Sequence, residues 1–174
     1  MENRELKSKD MVGYLPDLKV LYFCGDRLDN AAGDIISVSA GMVNVKFEEG
    51  KPSSPLGFSN IKPILRPLSD LYRTITHNGE EDIPIVSLAK IAFQYLPDWA
   101  IKGNKAVYYN QYGNIEFYYD DRAFKAYRHD EGFLAYINQY HLFDYLHELK
   151  IDYRGLIDAG LVISVHDLSE NPYK

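Results

Sequence analysis

The sequence predicts an α+β fold: a small N-terminal β meander, two amphipathic helices, an antiparallel β hairpin or sheet, and a C-terminal helix. Three observations carry this prediction. Short β-forming runs cluster ahead of a Pro/Ser-rich loop, apolar residues then recur at helical spacing behind two prolines, and two further β-forming runs flank a turn-rich segment. At 174 residues, with 46% hydrophobic and 25% charged residues, the chain is long enough for a real core, which excludes collagen-like, low-complexity and wholly disordered readings.

The β meander comes first. Residues 18–24 form an apolar run ending in Gly25-Asp26, and β-like runs at 34–38 and 42–47 are separated by Ser39-Ala40-Gly41. The polar stretch 26–34 between them has Leu28 where a calcium loop needs its third-position oxygen ligand, so it reads as a strand connection. Residues 48–60, with Pro52, Ser53, Ser54 and Pro55, make the clearest loop and divide a β lobe, 1–50, from an α+β lobe, 61–174, either separate or one compact domain with the first.

Two helices are expected next. Behind Pro67, the residues Leu68, Leu71, Tyr72 and Ile75 share one face before His77-Asn78-Gly79 stops the pattern. Pro84 opens the second, whose stripe of Ile85, Leu88, Ala89, Ala92, Tyr95 and Leu96 ends at Pro97. Residues 107–109 and 115–119 then form a hairpin, with Ile115, Phe117 and Tyr119 on one face and Glu116 and Tyr118 on the other. A third strand is expected near 122–128, a helix at 138–150, a helical turn at 154–159 and a last strand at 161–165.

Charge and cysteine content narrow the function classes. Ten basic and eleven acidic residues precede Glu81, but nine and fourteen follow from it, so five of the six net negative charges sit in the second half. No five-residue stretch holds more than two Lys or Arg, which disfavours phosphate-backbone binding unless Lys62, Arg66 and Arg73 assemble a basic face in three dimensions. Cys24 is the only cysteine, so neither an intrachain disulfide nor a cysteine-based zinc site can form, as expected of a reducing cytoplasm. Neither a signal peptide nor a membrane anchor is expected, because the N-terminal residues alternate charges and the apolar runs 20–24 and 160–165 are short.

Few constellations offer chemistry. His141, Asp144 and His147 lie on one helix and could supply metal ligands to a hydrolase, but they spread over the face opposite Leu142, Phe143, Leu146 and Leu149, as on a solvated helix surface. Cys24 lacks a histidine within fifty residues and reads as a small buried apolar residue rather than a nucleophile. Asp120-Asp121 and Asp130-Glu131 sit in turns and read as surface charge. No dinucleotide, nucleotide-triphosphate or serine-hydrolase signature occurs, so no catalytic residue and no cofactor is assigned. The tyrosines stand out: 12 of 15 lie from Tyr95 onward. Trp99, Tyr108 and Tyr118 either furnish a recognition surface or pack a small sheet.

Four blocks, Tyr14-Leu-Pro-Asp-Leu-Lys19, Ile61-Lys-Pro-Ile-Leu-Arg-Pro-Leu-Ser-Asp-Leu71, Leu142-Phe-Asp-Tyr-Leu-His-Glu148 and Gly155-Leu-Ile-Asp-Ala-Gly-Leu161, resemble, in that order, uncharacterised proteins encoded in prophages and mobile elements of gut anaerobic bacteria. The blocks are helix starts and amphipathic faces, with no functional residue to transfer. The resemblance implies an accessory protein of a phage-like element that works through another protein or self-association, or at a replication or packaging complex.

Overall fold

The computed structural model describes residues 4–24, 27–39, 41–47, 55–94, 96, 98–111, 113–135 and 137–174. In chain order these form α1 (Ser8–Met11), β1 (Lys19–Cys24), β2 (Arg27–Ser39), β3 (Met42–Phe47), β4 (Pro55–Gly57), β5 (Ile61–Pro67), β6 (Ile75–His77), β7 (Glu80–Asp82) and α2 (Pro84–Ala92). There follow β8 (Trp99–Ile101), β9 (Ala106–Asn110), β10 (Gly113–Asp120), β11 (Ala123–Arg128), β12 (Phe133–Ala135), α3 (Tyr140–Glu148), β13 (Ile151–Asp152) and β14 (Ile163–Ser164). The architecture is mixed α+β, mostly sheet. No helix among the described residues is long and apolar enough to cross a membrane.

The sequence reading divides the chain at 48–60, whereas its two compact units are Met1–Pro67 with His147–Pro172, and Leu68–Leu146 with Tyr173–Lys174. The reason lies in β5. Its first half pairs antiparallel with β1, while Ile64 to Pro67 accept β14 and β13 in parallel, drawing the C-terminal segment into the first sheet, ordered β13-β5-β1-β2-β3-β4.

In the first unit, β3 alternates as its sequence suggests, with Val43, Val45 and Phe47 inward and Met42 and Lys46 outward. Val45 and Phe47 lie against the backbone of Gly33, where an added Cβ would stand 2.5 Å from Val45 Cγ1. Met11, Tyr14, Leu18, Val20, Leu65, Leu156 and Val162 complete that core. Two polar anchors tie its ends: Tyr14 Oη donates to the Ile151 carbonyl at 3.1 Å, and buried Lys150 Nζ donates to the carbonyls of Tyr14 and Pro16 at 2.9 and 2.7 Å. Asp152 accepts from the amides of Arg154 and Ile157, organising the turns expected as a helical segment at 154–159.

In the second unit a five-stranded antiparallel meander, β12-β11-β10-β9-β8, packs α2 against β8, β9 and β10. The β10–β11 connection has only Asp121 and Arg122, both at positive φ, the geometry a two-residue hairpin needs to match strand twist. Before α3, the Gln139 carboxamide pairs with both backbone groups of Phe124, accepting from its amide and donating to its carbonyl at 2.8 Å each. Asp82 accepts from Ser87 Oγ at 2.6 Å and Tyr145 Oη at 2.7 Å.

The expected helix behind Pro67 is a single 3-10 turn, Leu68–Tyr72, followed by strand β6. The β-branched Ile75-Thr76 favours extended backbone, and Asn78-Gly79, both at positive φ, forms the turn of the β6–β7 hairpin rather than a helix stop. Residues 27–34, expected as a connection, continue β2. The second expected helix is α2; Tyr95 and Pro97 of its stripe and terminus lie outside the described residues.

Candidate functional site

The two faces of the five-stranded sheet differ in kind. On the inner face, Trp99, Tyr108 and Ile115 share one cross-strand row and Phe117 lies in the next. Phe117 is fully buried, stacked parallel on Phe124 at 5.5 Å and set against Phe93 and Trp99 at 6.3 and 6.4 Å. Trp99 is 8% exposed, with Tyr108 at 5.7 Å and Phe93 at 5.4 Å. Trp99 and Tyr108 are thus core-facing, and Tyr118 points to the opposite side.

The outer face follows from the same register. Tyr109 lies opposite Asn114, Val107 and Tyr127 flank Glu116, and Tyr118 lies opposite Lys125. Val107 is closed off, so the accessible part is a set of tyrosines around charged pairs. Tyr109 is 54% exposed. Lys105 bonds the Glu116 carboxylate while its ammonium stands 5.1 Å from the Tyr118 ring centroid. His129 reaches the same carboxylate at 3.4 Å and meets the Tyr127 ring edge-on at 4.8 Å. The bond from Lys105, supported by its charge and by His129, holds the Glu116 carboxyl below its ordinary range against a smaller opposing effect of burial. Lys125 pairs with Asp120 at 2.7 Å on this face, whereas Arg128, opposite Ile115 in the inner-face row, holds Asp130 and Glu131 of the following turn.

No protein-family model matches the chain, and neither does any curated protein or solved structure. Function must therefore be argued from the geometry.

The other sequence candidates fall in different places. His141 is exposed beside Tyr140, Asp144 is exposed, and His147 instead sets Nε2 2.8 Å from Tyr153 Oη, which also accepts from Arg154 Nε at 3.0 Å. No group of three or more His, Cys, Asp or Glu among the described residues is placed to hold a metal ion. Arg66 is 2% exposed, whereas the exposed Arg73 binds Asp70 and Ser69. Cys24 closes β1, and Asp26 of the considered calcium stretch lies outside the described residues. Asp120, Asp121, Asp130 and Glu131 are exposed at turns, as their sequence context suggests. In the first unit, an open groove of about 530 Å³ runs between Lys19, Leu21, Asp34 and Ile64 on the sheet and residues 167–172, with Lys19 and Asp34 paired at 2.6 Å.

Sequence reading singled out Tyr118 but missed Tyr109, Tyr127, Lys105 and His129. Period-two spacing places Tyr118 with Glu116 inside one strand; only the cross-strand register adds the other four.

Proposed function

We propose that this chain is a non-enzymatic protein-interaction module that docks its partner on the outer face of the five-stranded sheet. The observation that carries this reading is the exposed Tyr109, with the partly exposed Tyr127 and Tyr118 in successive rows of the same face, on a sheet whose other face is sealed by Trp99, Phe117 and Phe124. Tyrosine offers broad contact area and a hydroxyl at low entropic cost, and a hydrogen-bonded sheet holds it ready for docking. The resemblance to prophage proteins makes an accessory role in a phage-like element the natural setting.

Capture from a gut-anaerobe lysate, run in parallel with wild type and a Tyr109→Ser, Tyr118→Ser double variant, tests the reading. The expected result is a stoichiometric partner on wild type that the variant loses while its circular dichroism is unchanged. A partner held equally by both proteins, or a wild-type chain that stays monomeric and alone, refutes it.

A further inference from the structure

We infer that the partner presents an arginine-bearing segment to this face, a refinement that rests on the docking reading above. Three features point to guanidinium rather than to phosphate or to an acidic peptide. The first is what the tyrosines already do: the Lys105 ammonium stands over the Tyr118 ring, so a cation is accommodated on this face. A planar guanidinium can stack on such a ring and bond a neighbouring carboxylate at the same time.

The second is how the face's own cations are engaged. Lys105 and His129 contact Glu116, and Lys125 binds Asp120. A phosphate would have to break one of these pairs to gain a cation. An incoming guanidinium meets the exposed Asp120 at the end of this face and the exposed Asp121 in the turn that follows it. The third is net charge. The second unit holds eight Lys and Arg against eleven Asp and Glu, so its long-range field draws a basic segment and repels an acidic one.

The test uses the whole chain, isotope-labelled for NMR, and three probes of equal length: a peptide alternating arginine and glycine, the same peptide with glutamate for arginine, and oligo-deoxythymidine. The arginine peptide is expected to shift the signals of Tyr109, Glu116, Tyr118 and Tyr127, to bind more weakly as sodium chloride rises, and to bind roughly fivefold more weakly to Tyr109→Ser, the change expected for one exposed cation–π contact. The inference is overturned if the arginine peptide shifts only residues elsewhere, if the glutamate peptide binds as well, or if the oligonucleotide takes the face more tightly. Should the peptide fail while cellular capture still depends on Tyr109 and Tyr118, the partner chemistry is wrong and the docking face stands; should capture be indifferent to both, the docking reading itself falls.

Discussion

Removing the Phe117 ring by Phe117→Ala tests whether the inner aromatic cluster holds the sheet in shape. Truncating a phenylalanine in a packed core costs about 3–5 kcal/mol, from lost transfer free energy plus the cavity left behind. Phe117 is fully buried and meets three rings, Phe93, Trp99 and Phe124. Ring pairs of this kind add about 0.5–1.5 kcal/mol beyond burial, so a loss no smaller than the middle of the range, about 4 kcal/mol, is expected. Trp99 is the only tryptophan in the chain and belongs to this cluster, so its fluorescence reads the second unit directly. With a urea dependence of about 2 kcal/mol per molar, the Trp99 midpoint should fall by about 2 M. Tyr109→Ser, on the exposed side, should change the unfolding free energy by less than about 0.5 kcal/mol. A Phe117→Ala loss below about 1.5 kcal/mol would show that the ring is not packed as described, and the rigid support of the outer face would lose its basis.

Three further outcomes concern the first unit. Tyr14→Phe deletes the hydroxyl that donates to the Ile151 carbonyl and should cost about 1–2 kcal/mol by chemical denaturation followed by circular dichroism; no loss would mean the bond contributes nothing. Gly13→Ala places a Cβ 2.6 Å from His147 Cε1, so it should cost about 1–3 kcal/mol and displace the imidazole from Tyr153, visible as a change in the His147 ring signals by NMR. Burial lowers the Lys150 amine from its ordinary value against weaker opposing effects of Asp17 and Glu148. The folded chain then holds fewer protons than the unfolded one between that lowered value and the ordinary lysine value, so this group's contribution to stability rises with pH across the interval and is lost as pH falls through the folded value. Lys150→Met should flatten that rise relative to wild type in unfolding free energies measured across alkaline pH; identical slopes would contradict the assignment.

Much of the local structure is legible in the residues. The alternation of 42–47, the proline-opened stripe of α2 and the hairpin of β9 and β10 are each dictated by spacing within one segment. The misreadings have specific causes. Leu68, Leu71, Tyr72 and Ile75 satisfy a helical period by position alone, but Ile75-Thr76 and the Asn78-Gly79 turn favour a hairpin, and the local β signal prevails. His141, Asp144 and His147 share a helix but engage different neighbours, with His147 tied to Tyr153.

By itself the sequence determined the alternation of β3, the stripe of α2, the β9–β10 hairpin and where the tyrosines concentrate, because those follow from local periodicity and turn chemistry. Only the tertiary structure decided that 147–172 returns to β5, that Trp99 and Tyr108 face inward, and that Tyr109, Tyr118 and Tyr127 share one face with Glu116. Those outcomes depend on strand register between residues far apart in the chain. A shift of one residue turns every side chain of a strand to the other face, and no pattern within a single strand specifies which partner it meets.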